Sequence, residues 1–167
     1  MNKLESLHNA VSTFDVKTII NEVLKLNDIQ SELVRIIQTR LYEKGTTAEG
    51  EKLRTDHGKS SWHGGELGFY CRNTEKIKKR KSPKQPIDRV TLKDTGEFYE
   101  SFKTTFKTDL DISADFRDIY LNFQDSFNSE KDFEQAILDI SDEEKELLFD
   151  KMWPYIEQKT LQWLAIA

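Results

Sequence analysis

The chain has 167 residues, of which 37% are hydrophobic and 33% are charged, and its formal net charge is −5. This composition excludes a disordered polyelectrolyte and predicts a single domain over residues 1–167. No run approaches the roughly 18 apolar residues of a membrane span. Charges interrupt the first apolar stretch, so no secretory signal is predicted, and the single cysteine, Cys71, fits a reducing cytoplasm.

A long amphipathic helix is the clearest element in the first part of the chain. We expect residues 1–14 to be flexible, because their composition is mixed and they precede the regular pattern. From Asp15 to Gly45, apolar residues recur at spacings of three and four, which is typical of a helix that covers a sheet. Asp15 is suited to cap this helix and Gly45 to end it, with a potential break at Asn27-Asp28. A coiled-coil partner helix is the alternative, but the apolar stripe is wider than a coiled-coil seam.

Residues 45–88 are predicted to form a long loop or arm. Most of the glycines of the chain lie here, and long loops in compact domains are usually functional or flexible. Trp62, Phe69 and Tyr70 lie in this stretch, so we expect part of it to dock on another surface. We further expect residues 57–86 to contact a neighbouring subunit or DNA while the helices and sheet form the body.

The same stretch contains a set of metal-ligating residue types, His57, His63 and Cys71. Zinc sites use four ligands, or three and a water, and usually arrange them in tight pairs such as Cys-x-x-Cys. The intervals here are five and seven residues, and the chain has no second cysteine. We therefore predict no metal site and no cofactor.

Positive charge is concentrated in residues 72–93, which contain nine Lys and Arg residues and two acidic residues. We call residues 76–84 the basic segment; Pro83, within it, and Pro86 favour an extended chain. Its side chains are candidates for contact with a neighbouring subunit or with DNA phosphates, and a solvated loop neutralised by acidic neighbours is the alternative. The cations of the segment are Lys76, Lys78, Lys79, Arg80, Lys81 and Lys84.

Residues 89–106, which we call the corner, are predicted to join helix to sheet. Residues 90–92 favour a strand, and Asp94-Thr95-Gly96 favours a turn that caps a helix. Phe98, Phe102 and Phe106 pass from helical spacing to strand spacing, so we expect all three to be buried together.

Two catalytic interpretations of the corner are weak. Asp-Thr-Gly is the catalytic tripeptide of aspartic proteases, but Lys93 replaces the apolar residue expected before Asp94, and no second half follows. A magnesium-dependent nuclease would use Asp94, Glu97 and Glu100, although acids at three-residue steps are also ordinary on a helix surface. We predict that the protein is not an enzyme. A nucleic-acid-binding protein or nuclease, and an antitoxin-like interaction protein, remain alternatives.

The rest of the chain alternates between strand and helix patterns. Residues 102–108 and 110–116 are predicted to pair across a turn at 108–109, and residues 119–123 form either a third strand or a helix. Ser129 is suited to cap a helix through Leu138. Ser141 and Glu144 form a capping box that opens the last helix, which Pro154 should kink or divide. The predicted fold class is α+β, with a long N-terminal helix and C-terminal helices packed on an antiparallel sheet of three or four strands.

The order of several motifs resembles a known family. Leu-Lys-Asp-Thr-Gly-Glu-Phe-Tyr-Glu-Ser-Phe, residues 92–102, resembles the Leu-x-x-Thr-Gly-x-Leu/Phe-x-x-Ser segment of small neck and tail-completion proteins of tailed phages and prophages. Residues 41–53, 74–81 and 85–92 resemble further segments of that family, so the similarity covers roughly residues 30–116 in order. The stretch from His57 to Tyr70 departs from the family by carrying extra residues.

The resemblance implies a structural virion protein without catalytic activity. Such a protein would join the head, through its portal, to the tail as a homo-oligomeric ring, a hexamer or a dodecamer. Its partners would be other neck, portal or tail proteins, with non-specific contact to DNA and none to a membrane. It would be assembled in the host cytoplasm and reside in the virion.

Overall fold

The structure is a computed structural model that describes residues 15–166, with side chains described as far as Leu164. The expectation for residues 1–14 lies outside this range. Helix α1 spans Val16–Leu24 and α2 spans Asn27–Thr39. The predicted cap is confirmed, because Asp15 Oδ1 accepts a hydrogen bond from the Lys17 amide at 3.0 Å. The helix breaks at Leu26, whose backbone is extended, just before the Asn27-Asp28 position named from the sequence.

A π-helix, Arg40–Lys44, follows α2 directly and ends at Gly45. The Gly45 amide donates to the Arg40 carbonyl at 3.0 Å, and its φ of +63° lies in the left-handed region. A Cβ at this position would meet Arg89 Cβ at 2.8 Å and the Val90 carbonyl oxygen at 2.9 Å. Gly45 therefore ends the helix, as predicted, and lets the corner approach the backbone closely.

The prediction of a loop or arm over residues 45–88 is wrong in part. A short helix, α3, spans Asp56–Lys59, and a nine-residue helix, α4, spans Arg72–Arg80 within that stretch. Helix α4 gives no apolar stripe in the sequence because the side chains that it buries are Glu75 and Lys78. Periodicity of apolar residues cannot detect a helix that buries charged ones.

The sheet contains two strands in the described part of the chain, fewer than the three or four predicted. After a helical turn, α5 (Glu97–Glu100), strands β1 (Lys103–Phe106) and β2 (Leu110–Ser113) pair antiparallel with Thr104 opposite Ile112. Residues 90–92 join no sheet, so the strand prediction there is wrong. Two tyrosine hydroxyls take the place of a partner strand: Tyr70 Oη accepts from the Thr91 amide at 2.8 Å, and the Tyr99 hydroxyl donates to the Thr91 carbonyl at 2.5 Å.

The last third of the chain is helical. Residues 117–120 form α6 (Arg117–Tyr120) and residues 121–123 form a turn, so the range 119–123 contains no third strand and is helical only at its start. Helix α7 spans Glu130–Leu138 with Ser129 as its cap, as predicted. The capping box is also confirmed: the Ser141 amide donates to Glu144 Oε2 at 2.9 Å, and the Glu144 amide donates to Ser141 Oγ at 3.3 Å.

Helix α8 spans Asp142–Ile166 and contains Pro154 without division. Proline has no amide hydrogen, so Pro154 leaves the Asp150 carbonyl without its helical hydrogen bond. Both residues lie on the exposed side of the helix, where water can bind this carbonyl. On its other side α8 packs against α1 and α2. Of the two predicted outcomes, a kink or a division, the division is therefore excluded.

Phenylalanine residues occupy much of the core. Phe133 of α7 is fully buried and stacks on Phe123 with ring centroids 4.8 Å apart. Its edge contacts Phe116 at 5.6 Å, and Phe116 in turn contacts Phe98 of α5 at 5.2 Å. These contacts connect the corner to the C-terminal helices. With helices and one small antiparallel sheet, the architecture is α+β, as predicted.

Candidate functional site

The basic segment is anchored by its second cation, Lys78. Lys78 is only 4% exposed, and its ammonium donates to Gln85 Oε1 at 3.1 Å, to the Lys93 carbonyl at 3.2 Å and to Thr91 Oγ1 at 3.4 Å. These three acceptors match the three donors of an ammonium group. The Tyr70 ring lies beneath it, with its centroid 4.7 Å from Nζ. Lys78 therefore holds α4 against the corner and is not a surface charge.

Burial of this lysine and of its tyrosine neighbours changes their protonation. Burial lowers the pKa of Lys78 to about 8, against the opposing attraction of Asp94. Burial also raises the pKa of Tyr70, although its hydrogen bonds with Thr91 act in the opposite direction. The pKa of Tyr99 is raised by burial as well. The site under α4 thus disfavours charge, which is the expected result of a low local dielectric.

A second buried charge fixes the other side of α4. The Glu75 carboxylate accepts hydrogen bonds from the amides of Glu66 at 3.1 Å and of Leu67 at 3.4 Å. A Cβ on Gly65 would overlap this carboxylate, so the glycine permits the close approach. Glu75 and Lys78 lie three residues apart and carry opposite charges, yet each binds a different segment of the chain. Together they fix the rotation of α4 about its own axis.

With α4 fixed in this way, the other cations of the basic segment divide into two groups. Lys79 forms an ion pair with Glu66 at 3.2 Å, and Lys81 pairs with Asp94. Lys76, Arg80 and Lys84 are exposed and form no ion pair with any residue in the range 15–166. Ile77, 55% exposed, lies among them on the outer face of α4. The outward surface of α4 is therefore cationic with an apolar centre.

The corner forms the predicted turn. Asp94 is exposed and both its carbonyl and its carboxylate accept from Lys81. Thr95 Oγ1 accepts from the Glu97 amide at 3.3 Å, and Gly96 adopts a φ of +110°. Asp94 is thus the partner of a lysine at a turn. Among the residues that the structure describes, no group of three metal-ligating side chains is placed to hold a cation.

The three phenylalanines of the corner do not share one environment. Phe98 is buried and its ring lies 5.2 Å from that of Phe102, which is partly buried against the core. Phe106 lies at the end of β1, half-buried and outside that cluster, with Lys25 Nζ 5.2 Å from its ring centroid. The expectation that all three are buried together is wrong for Phe106, because the strand leads it away from the core.

The residues between α3 and α4 have mixed roles. The rings of His57 and His63 lie edge to face with centroids 5.7 Å apart. Cys71 caps α4: burial alone would raise the pKa of its thiol, but hydrogen bonds with Thr74 and nearby amides lower it overall. Phe69 and Tyr70 are buried, whereas Trp62 is 85% exposed. The hypothesis of an arm outside the body is therefore wrong for Phe69 and Tyr70.

An open groove of about 690 Å³ lies between β2 and the junction of α7 with α8. Its walls contain the half-buried apolar side chains Leu110, Ile112, Leu138 and Ile140. Four acidic residues and one lysine also line it, namely Glu49, Asp111, Asp139, Asp142 and Lys145. Nothing in the sequence places these residues together, because they come from three separate parts of the chain.

Sequence reasoning also missed Glu75, Thr91 and the anchoring role of Tyr70. One signal for α4 was available: residues 71–81 contain no glycine or proline and are rich in Lys, Arg and Glu, which are good helix formers. No such signal exists for the contacts of Thr91, since they join residues distant in sequence.

Comparison of the chain with protein-family models, curated proteins and solved structures found no match. Over the described residues, no helix has both the length and the apolar character needed to cross a membrane.

Proposed function

We propose that the chain is a structural subunit of the neck of a tailed phage or prophage, where a ring of identical copies joins the head portal to the tail. The observation that carries this proposal is the cationic outer surface of α4. Lys76 and Arg80 project from a helix that Glu75 and Lys78 fix to the body, and Lys84 lies just after that helix. A fixed, unneutralised charged surface is suited to meet a complementary surface outside its own chain.

The uneven distribution of charge supports a ring of identical copies. Residues 72–93 contain nine basic and two acidic residues, although the whole chain is acidic with a net charge of −5. Identical subunits close into a ring when one surface meets a different, complementary surface of the next copy and the rotation closes. A chain with both a cationic and an acidic surface offers two such complementary surfaces, which supports the proposal.

The same cations suit a second role within such a ring. Exposed lysine and arginine side chains bind DNA phosphates without sequence preference. If α4 faces the channel, Lys76, Arg80 and Lys84 would contact the DNA that passes through it. A nucleic-acid role without a ring is the alternative that the test below distinguishes.

The proposal is tested by measuring the mass of the purified protein by native mass spectrometry, alone and with portal and tail proteins of the same phage or prophage. We expect a hexameric or dodecameric ring, or a ring that forms when the portal is added. A monomer at every concentration that binds neither portal nor tail proteins would overturn the proposal.

A triple variant, Lys76→Gln/Arg80→Gln/Lys84→Gln, separates the two roles of the cations. Loss of rings assigns them to a protein interface, and intact rings with lost DNA retention assign them to the channel. The matched control is Lys103→Gln/Lys107→Gln/Lys131→Gln, which removes the same charge from exposed positions elsewhere. We expect this control to keep both rings and DNA retention.

A further inference from the structure

We infer that the outer face of α4 in one copy of the chain docks in the acidic groove of the next copy. This inference rests on the proposed function, since it names the two surfaces through which a ring would close. The groove is the one between β2 and the α7–α8 junction, with a volume of about 690 Å³. Its occupant is α4 of a second copy.

Charge is the first reason for pairing these two surfaces. Four acidic residues line the groove, of which Asp142 is paired with Lys145 at 2.8 Å, so Glu49, Asp111 and Asp139 are left without an ion-pair partner among residues 15–166. The outer face of α4 and the residues after it present Lys76, Arg80 and Lys84, which have no acidic partner among residues 15–166. Opposite potentials on two meeting surfaces favour association and fix its register. The chain therefore carries both members of a complementary pair.

Apolar contact is the second reason. Residues 73, 76, 77 and 80 share one side of α4, because residues three and four apart are neighbours on a helix. Ile77 stands among these positions and is 55% exposed. The lining of the groove also contains the half-buried apolar residues Leu110, Ile112, Leu138 and Ile140. A helix that places an aliphatic side chain on an apolar floor, with cations along its edge, is a common mode of helix-in-groove recognition.

The rigidity of both surfaces is the third reason. Glu75 and Lys78 prevent α4 from rotating, so its outer face is already formed in the free chain. The groove is bordered by β2 and by α7, whose Ile137 is fully buried. Surfaces that are already formed lose little conformational entropy on binding. Such an interface forms without folding of either partner.

The test is a pair of charge-reversal variants studied separately and together. The first is Lys76→Glu/Arg80→Glu, which makes α4 acidic, and the second is Asp111→Lys/Asp139→Lys, which makes the groove basic. Each variant has two surfaces of like charge, so we expect each alone to lose at least tenfold in association constant. Mixed in equal amounts they should form rings in which the variants alternate, because the acidic α4 of one fits the basic groove of the other. A single chain with all four substitutions should also assemble.

The matched control is Lys103→Glu/Lys131→Glu, which reverses two exposed charges outside both surfaces and should assemble like the natural chain. Circular dichroism of every variant checks that it is folded, and the readout is mass in solution at low and high salt. High salt should weaken the natural assembly, since it screens exposed charges.

The outcomes separate this inference from the proposed function. Suppose that the natural chain forms rings. If both charge-reversal variants also form rings, or if both lose them and the mixture does not restore them, the docking is overturned and the proposed function stands. Rescue in the mixture, combined with open chains that bind no portal or tail protein, would support the docking and overturn the proposed function. A natural chain that stays monomeric in every condition would overturn both.

Discussion

The hydroxyl of Tyr70 accepts a hydrogen bond from the buried amide of Thr91 at 2.8 Å, and this bond joins the stretch before α4 to the corner. Thr91 is fully buried and belongs to no sheet. Its carbonyl is satisfied by the Tyr99 hydroxyl and its side-chain oxygen by Lys78. The two tyrosine hydroxyls thus provide the backbone partners that a neighbouring strand would provide elsewhere, and Lys78 satisfies the side chain.

We expect Tyr70→Phe to lower the free energy of unfolding by about 1–2 kcal/mol, because it leaves the buried Thr91 amide without an acceptor. Chemical denaturation at neutral pH measures the effect. Tyr120→Phe is the control, because the Tyr120 ring also packs in the core but its hydroxyl makes no hydrogen bond within the described residues. Equal stability of the Tyr70 variant and the natural chain would show that the bond does not hold the corner.

Lys78 should make stability depend on pH. Its folded pKa of about 8 lies below the ordinary value of 10.5, so between these values the unfolded chain binds more protons than the folded one. Stability contributed by this group therefore rises with pH, by about 1–2 kcal/mol between pH 8 and 10. Above pH 10 the raised pKa values of Tyr70 and Tyr99 act in the opposite direction, because the unfolded tyrosines then lose protons that the folded ones keep.

Lys78→Met isolates this effect, since methionine has a similar length and no titratable group. Denaturant unfolding at several pH values should show the rise between pH 8 and 10 in the natural chain and not in the variant. Lys76→Met, at an exposed position on the same helix, should leave the rise intact. If the natural chain and Lys78→Met have parallel pH profiles, Lys78 titrates normally and is not buried as described.

The pair formed by Arg40 and Glu144 is a second buried charge site. Arg40 Nε lies 3.4 Å from Glu144 Oε1, the side chains are 5% and 7% exposed, and the guanidinium donates to the Ile137 carbonyl at 2.6 Å. Burial lowers the pKa of Arg40, against the attraction of Glu144. Glu144→Gln keeps a side chain that can close the capping box but leaves the arginine charge unpaired. We expect it to destabilise the fold by about 3 kcal/mol.

The control for this variant is Glu143→Gln, which removes an exposed ion pair with Lys44 and should cost much less, because surface ion pairs contribute little to stability. Thermal unfolding of both variants gives the comparison. Similar losses in the two variants would mean that the Arg40 charge is solvated in the folded protein.

The phenylalanines of the corner should differ in their contributions. Phe98→Ala removes a buried ring in contact with Phe102 and Phe116 and should cost about 3–5 kcal/mol. Phe106→Ala removes a half-buried ring outside the core cluster and should cost about 1 kcal/mol. Urea unfolding of the two variants measures the difference, and equal costs would restore the original expectation that both rings share the core.

Local signals in the sequence predicted several elements well. Asp15, Gly45, Ser129 and the pair Ser141 and Glu144 all begin or end helices as expected, because a cap depends on residues three or four positions apart. The β1–β2 hairpin was also predicted, since alternation and a short turn specify it locally. The third strand and the division of α8 at Pro154 were wrong, because packing decided them.

Of the candidate site, the sequence predicted only the positive charge. The sequence identified the cations of the basic segment, but not which of them are buried, paired or exposed. Lys78, Lys79 and Arg80 are consecutive, yet one is enclosed by the corner, one pairs with Glu66 and one faces solvent. Whether each side chain is buried, paired or exposed depends on the direction in which it points from α4 and on the segment of the chain that lies opposite it.

The caps, the hairpin, the α+β class and the concentration of positive charge in residues 72–93 could be predicted from the sequence, since each depends on neighbouring residues or on composition. The burial of Glu75 and Lys78, the tyrosine hydroxyls on the Thr91 backbone, and the meeting of acids from three parts of the chain at one groove became visible in the folded chain alone. A buried polar group must find a partner, and Thr91 and Lys78 find theirs in segments that local sequence patterns do not bring together.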